Sequence, residues 1–421
     1  MFRSSLVACL IAGALTGGCA SHASPSPQSQ PDASVPSKAD GGKPPSRAEQ
    51  QSFIAWRADF RRRALAEGIS PEVFDAAFKD IDLNHSVIKL DRGQAEFTRQ
   101  LWDYLDSAAS ATRVSTGQAK RRALADTLTQ IEQRYGVKAE VVLAVWGMET
   151  NYGGYRGNTP TIEGLATLAF EGRRRQFAET QLIAALRILQ AGDVSVNDMR
   201  GSWAGAMGHT QFMPTSYLAY AQDFNGDGKR NIWSEDPTDA LASTAYYLSR
   251  FGWQAGAPWG LEVTLPEGFD YTQADQKRRQ PVAHWRGLGI TQINGQPLPD
   301  HGEAAILVPA GAQGPAFVVF NNFFVIKRYN NATAYAMGVG HLADKIAGGS
   351  DFHQAWPRHE RALSRTEKQE LQQRLTEQGF DTQGADGVIG PNTMAAIRAW
   401  QQARGLVADG YASASLLERL R

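Results

Sequence analysis

The chain opens on a short apolar run, Leu6 through Leu15, broken by small residues and preceded by the positive charge of Arg3. At about ten residues the run is too short for a membrane-spanning helix and suits a secretory signal core. From Ala20 to around Ser46 the chain is rich in Ser, Pro, Ala, Gln and Gly. Few large apolar side chains there can offset the entropy of ordering, so the segment reads as a tether, semi-extended by its prolines. Near Gln50 the pattern turns helical. Phe53, Ile54, Trp56, Phe60 and Leu65 recur at three- and four-residue spacing, which predicts an amphipathic helix over 53–68. A second helix, predicted over 120–135, leads into a stretch to Trp146 that is apolar all round after Glu140; that stretch reads as a buried central helix. Helices are also expected over 176–191 and 237–251. Between 261 and 320, Pro, Gly and β-like runs such as Ala316-Phe317-Val318-Val319-Phe320 predict a small strand-containing insert.

Near Arg358 a separate module begins. Residues 367–379 read as a helix ending at Gly379, and the segments around Asp386-Gly387 and Asp409-Gly410 echo each other. Two Asp-Gly turns, each opening a short helix, predict a compact three-helix bundle of about sixty residues, small for a stable core but feasible. The expected division is a signal segment over 1–19, a tether over 20–48, a main region over 49–350 and the module over 358–421. The fold class is mainly α.

Charge narrows the partners. Lys plus Arg and Asp plus Glu number 43 each, so no global basic field exists to attract nucleic acid. Ten Trp and twelve Tyr supply flat apolar faces on which sugar rings can stack, although most such rings fill core. The two cysteines are Cys9, inside the apolar run, and Cys19 at its end, which excludes a disulfide or a cysteine metal site in the body. The run ends in Leu15-Thr16-Gly17-Gly18-Cys19, which resembles a bacterial lipobox, with Thr16 where Leu is usual. Lipidation at Cys19 is the expectation, with an ordinary secretory signal as the alternative. Ala20 lacks the Asp that retains lipoproteins at the inner membrane, so a periplasm-facing outer-membrane anchor is expected, with no other membrane contact.

The candidate chemistry lies in Trp146-Gly147-Met148-Glu149-Thr150-Asn151-Tyr152-Gly153-Gly154. A carboxylate ends a nearly all-apolar helix and a Gly-rich turn follows. If Glu149 lies in an apolar cleft, desolvation raises its pKa and keeps it protonated near neutrality, as a general acid requires. An exposed helix-end Glu is the alternative. A second segment, Gly201-Ser202-Trp203-Ala204-Gly205-Ala206-Met207-Gly208-His209-Thr210-Gln211-Phe212-Met213-Pro214, combines small residues that admit close backbone approach with polar groups at Ser202 and Gln211.

Together these segments resemble the lytic murein transglycosylase B family, a branch of the lysozyme-like glycosidases, over roughly residues 50–346. The resemblance implies a lysozyme-like catalytic domain in which Glu149 is the only catalytic acid and no cofactor serves catalysis. Ser202 and Gln211 then match substrate-cleft positions. In Lys327-Arg328-Tyr329-Asn330-Asn331-Ala332-Thr333-Ala334-Tyr335, the family pattern sets Tyr329, Asn330 and Tyr335 near the acid. Tyr247 and Tyr104 are further carry-overs, and His209 departs from the Tyr expected there. The family reaction protonates the oxygen between N-acetylmuramic acid and N-acetylglucosamine, then uses the sugar's own C6 hydroxyl to form a 1,6-anhydromuramyl end. Hydrolysis with Glu163 or Glu171 as a second acid is the alternative. Peptidoglycan glycan strands are the expected partner, and the chain is expected to act as a monomer. A non-catalytic wall-binding lipoprotein and a calcium-regulated adaptor are the rival classes.

Asp223-Phe224-Asn225-Gly226-Asp227-Gly228-Lys229 begins like an EF-hand calcium loop, with Ser234 at the place of the usual bidentate Glu. The resemblance suggests that a longer loop recruits Asp239 instead. Asp223, Asn225, Asp227, the Lys229 carbonyl and Asp239 are the candidate ligands for a structural calcium or sodium ion; an ion-free polar turn is the alternative. The terminal module, through Asp386-Gly387-Val388-Ile389-Gly390-Pro391-Asn392-Thr393 and the helix carrying Trp400-Gln401, resembles peptidoglycan-binding domains.

Overall fold

The computed structural model describes residues 45–93 and 99–421; the signal-like segment, Cys19 and most of the tether lie outside the described residues. Helix Arg47–Ala66 begins inside the expected tether. Its start is set by a capping box: Ser46 Oγ accepts from Glu49 N at 3.2 Å, and the Glu49 carboxylate accepts from Ser46 N at 2.8 Å. Among the described residues no helix is long and apolar enough to cross a membrane.

The main body is a helical layer around one central element, Ala139–Thr150, whose residues Val142 to Val145 are fully buried. It packs against Ala111–Ala123, Ala125–Tyr135, Thr238–Arg250 and Thr333–Ile346. Burial on all sides explains why its sequence lacks a polar face. The single helix expected over 120–135 is two helices, divided at Leu124 (φ −112°, ψ 24°), which caps both. The charges favour the break: Lys120, Arg121 and Arg122 close the first helix and Asp126 opens the second, each complementing the local helix dipole.

The insert is a five-stranded antiparallel sheet in the order Gln280–Pro281, Glu303–Leu307, Ala316–Val319, Gly260–Thr264, Thr291–Gln292. Strand alternation divides its central side chains between two cores. Phe317 and Val319 face the main helical core, while Ala316 and Val318 join Val263, Trp285, Leu298 and Ile306 in a second one.

Beyond the insert, helices Arg365–Glu377, Pro391–Ala403 and Ala414–Leu420 close over Leu371, Leu375, Ile397, Trp400 and Leu417. This three-helix unit sits directly on the body. Arg358 pairs with Asp106 at 2.7 Å, Gln100 Nε2 donates to the Glu360 carbonyl at 3.1 Å, and Ala312 N donates to Asp409 Oδ2 at 2.9 Å.

Candidate active site

Glu149 occupies the last turn of the central helix. The chain then leaves through Asn151 (φ +49°), Tyr152 (φ +59°) and Gly153 (φ +82°), a left-handed run that non-glycine residues avoid. Specific contacts hold it there. Asn151 N donates to Gly147 O at 3.1 Å and the Tyr152 hydroxyl donates to Arg113 O at 2.9 Å. The Tyr152 ring lies between Gly117 and Gly147, where an added Cβ would come within 2.4 and 2.8 Å of it. Two helices thus carry glycine so that Tyr152 can brace the turn behind Glu149.

From helix Thr333–Ile346 the buried Tyr335 donates its hydroxyl to Glu149 Oε1 at 2.6 Å. Glu149 keeps some surface as a residue, yet its carboxyl is enclosed: burial raises its pKa from the ordinary carboxylate range to about 7, with the Tyr335 hydroxyl pulling the other way. Burial, and then the charge of Glu149, raise Tyr335, Tyr329 and Tyr104, so all three rings share the field of this carboxylate. No carboxylate among the described residues contributes to the shift at Glu149. Glu163 is buried and accepts from Asn84 Nδ2 at 2.6 Å, and Glu171 pairs with Arg92 at 3.0 Å.

Of the other sequence candidates, Tyr329 donates to Thr210 O at 2.5 Å and stacks edgewise on the buried Tyr247 at 5.1 Å, while Tyr247 donates to Arg328 O at 2.6 Å. The Tyr247 hydroxyl is therefore committed to backbone, which makes the ring a wall of the Tyr329 seat. Asn330 is buried and accepts from Ala332 N at 3.0 Å. Ser202 Oγ accepts from Ala206 N at 3.0 Å, shaping the turn that follows it. Gln211 has φ +53° and its amide donates to Gly208 O at 2.9 Å and Arg156 O at 3.2 Å. Strain at a polar residue in this position is typical of sites whose geometry is set by function.

Sequence reasoning left His209 without a role. It is buried and joins the helix that carries Glu149 to two loops. Thr150 Oγ1 donates to His209 O at 2.6 Å, Trp146 Nε1 donates to His209 Nδ1 at 3.1 Å, and His209 Nε2 lies 2.7 Å from Ser234 O. Because Nδ1 accepts, the network assigns the proton to Nε2, which donates to Ser234. Burial lowers the imidazole pKa, keeping it neutral. Trp146, Thr150 and Arg156, which donates to Trp233 O at 2.7 Å, belong to this network. Their only sequence signal was proximity to Glu149.

The carboxylates of Asp223, Asp227 and Asp239 offer oxygens within 4.8 Å of one another. Asp223 accepts backbone N–H groups of Gly226, Asp227 and Gly228, and the buried Asp239 accepts those of Phe224, Asn225 and Asn231. Asn225 Oδ1 accepts from Asp227 N, and Lys229 N donates to Asp227 Oδ1. Burial raises Asp239, and the charge of Asp223 adds to the rise. An all-oxygen donor set with concentrated negative charge fits a hard cation such as calcium.

The model of the transglycosylase SLT domain matches residues 52–344, and that of a peptidoglycan binding domain matches residues 364–420. Membrane-bound lytic murein transglycosylase B of Escherichia coli is 35% identical over 229 residues, spanning 53% of this chain and 60% of that relative. The crystal structure of SltB3 from Pseudomonas aeruginosa, in complex with NAG-anhNAM-pentapeptide, is 52% identical with a TM-score of 0.84, covering 88% of this chain and all of that one. The Escherichia coli lytic transglycosylase SLT35 in complex with calcium is 29% identical with a TM-score of 0.60, covering 71% and 92%. The chain belongs to the transglycosylase SLT domain family, with a lysozyme-like helical body and a peptidoglycan-binding module at its end.

Proposed function

We propose that the protein is a lytic transglycosylase that cleaves the β-1,4 bond between N-acetylmuramic acid and N-acetylglucosamine in peptidoglycan, with Glu149 as acid and then base. The observation that carries this reading is the enclosed Glu149 carboxyl, held near pKa 7 by burial, with the Tyr335 hydroxyl as its contact and, among the described residues, no second carboxylate acting on it. A group poised there is half protonated at neutral pH and can serve in both directions. Protonated Glu149 gives its proton to the bridging oxygen, and the C1–O bond breaks. As carboxylate it takes the proton of the muramic C6 hydroxyl, whose oxygen bonds to C1. The glycan ends as a 1,6-anhydro sugar, no water is consumed, and Glu149 regains its starting proton.

In this reading Tyr104, Ser202, Gln211, Tyr247, Tyr329, Asn330 and Tyr335 form or support the glycan cleft. Residues 49–350 do the cleaving and 358–421 hold the enzyme on murein, raising local substrate concentration. Asp223, Asn225, Asp227, the Lys229 carbonyl and Asp239 hold a structural calcium or sodium ion. The chain acts as a monomer in the periplasm, anchored to the outer membrane through a lipidated Cys19. The test is Glu149→Gln. Release of soluble muropeptides should fall by at least about 10²-fold, the lower range for a lost general acid, while sedimentation with murein sacculi persists. Retained muropeptide release would overturn the reading.

A further inference from the structure

The terminal module contains the same turn twice. In the first copy, buried Gln372 donates to Asp386 Oδ1 at 3.0 Å and accepts from Gly387 N at 2.8 Å, while Val388 N donates to Asp386 Oδ1 at 2.8 Å. In the second, buried Gln401 donates to Asp409 Oδ1 at 2.7 Å and accepts from Gly410 N at 2.9 Å, while Tyr411 N donates to Asp409 Oδ1 at 2.9 Å. The central glycines have φ +79° and +74°. Each turn therefore presents one carboxylate oxygen, and the side chain two residues later, to whatever lies outside.

The second copy shows what such a turn takes. Its Asp409 Oδ2 accepts a peptide N–H, that of Ala312, at 2.9 Å. The residue just before that N–H is Gly311, with φ +63°. An L-Cβ on Gly311 would lie 2.4 Å from Asp409 Oδ2 and 2.7 Å from Tyr411 Cβ. An L-residue is disfavoured there by backbone conformation and excluded by contact. A D-residue prefers positive φ and carries its Cβ on the opposite side of Cα, so it meets neither objection.

The first copy is open. Asp386 is exposed, Val388 is 63% exposed, and among the described residues no donor reaches the second carboxylate oxygen of Asp386. We propose that the turn at Asp386, Gly387 and Val388 is a binding site for D-alanyl peptide, accepting on Asp386 the N–H that follows a D-residue whose backbone lies on Val388. Murein stem peptides end in D-alanine, whereas ordinary protein chains offer only glycine in this geometry. The inference rests on the reading of the module as wall-binding and names the group bound.

The experiment uses the full chain carrying Glu149→Gln, so that murein is not digested. Binding of diacetyl-Lys-D-Ala-D-Ala and of its all-L diastereomer is followed by NMR titration, with and without Val388→Glu or Asp386→Asn. Both added changes are at exposed positions, and thermal melts check that the fold is kept. The D-peptide should bind at least tenfold more tightly than the L-peptide, and Val388→Glu should remove that preference. Asp386→Asn, which keeps the turn but loses the charge, should weaken D-peptide binding severalfold. Equal binding of the two peptides, no D-peptide binding, or binding indifferent to both changes would overturn the proposal. Sedimentation with sacculi separates the two levels: a chain that pellets yet ignores the D-peptide refutes this site alone, and one that does not pellet refutes wall binding itself.

Discussion

Tyr335 and Glu149 stand 186 positions apart in the chain and meet at 2.6 Å, hydroxyl to carboxylate, across the face between helices Thr333–Ile346 and Ala139–Thr150. The contact favours the charged form of Glu149 and burial favours the neutral one, and burial is the larger effect. The balance sets Glu149 near neutrality.

Removing the hydroxyl by Tyr335→Phe takes away the one influence among the described residues that lowers Glu149. The pH above which activity falls, where Glu149 loses its proton, should therefore move upward. Turnover at neutral pH should fall about tenfold, as expected for loss of a hydrogen bond to a charged group. A pH–rate profile identical to that of the parent would contradict the assignment.

Stability carries the same signature. The folded pKa of Glu149 lies above its ordinary value of 4.5, so its favourable contribution is full below pH 4.5 and is lost as pH rises through about 7. Glu149→Gln should thus stabilise the fold at pH 9 by up to about 3 kcal/mol and make no difference at pH 4. Urea titrations at the two pH values check this, and an equal effect at both would count against a desolvated carboxyl.

His209→Leu should leave Trp146 Nε1 without its partner and Ser234 O with Arg156 alone, at a cost of about 1–3 kcal/mol. Turnover should fall as well, because Trp146, three residues before Glu149 on the same helix, loses the contact that fixes its ring. Thermal melts and initial rates read both. An unchanged melt would show that the network holds nothing.

The three-aspartate loop predicts a melting temperature that rises with added calcium and falls with a chelator. At a hundredfold excess over Kd the gain is about 2.7 kcal/mol. Asp239→Asn should abolish the response while the muropeptide product stays the same. A melt insensitive to calcium and sodium alike would leave the loop as a self-satisfied polar turn.

Gly311→Ala should loosen the terminal module, since the added methyl falls on Asp409 and Tyr411. Proteolysis in the linker near residues 350–361 should become faster. Unchanged cleavage would mean that Arg358 with Asp106 and Glu360 with Gln100 hold the module without it.

Much of the helical body was legible because its apolar periodicity reports burial directly, as in Phe53, Trp56 and Phe60, all buried on helix Arg47–Ala66. The break at Leu124 was not, because apolar spacing continues through it and only the charge change from Arg122 to Asp126 marks it. Glu149 was legible as a carboxylate ending an apolar helix. Its enclosure was not legible from local spacing, since Tyr335 and the walls come from distant segments; only the family resemblance set Tyr329, Asn330 and Tyr335 near it. His209 escaped for a related reason: its meaning lies in partners at Trp146, Thr150 and Ser234, a relation that no local spacing encodes.

The most direct measurement is mass spectrometry of muropeptides released from sacculi by the wild-type chain. A single acid–base residue using the C6 hydroxyl predicts 1,6-anhydromuramyl ends. Reducing muramic ends, heavier by two hydrogens and one oxygen, would show that water attacks C1 and that Glu149 does not work alone.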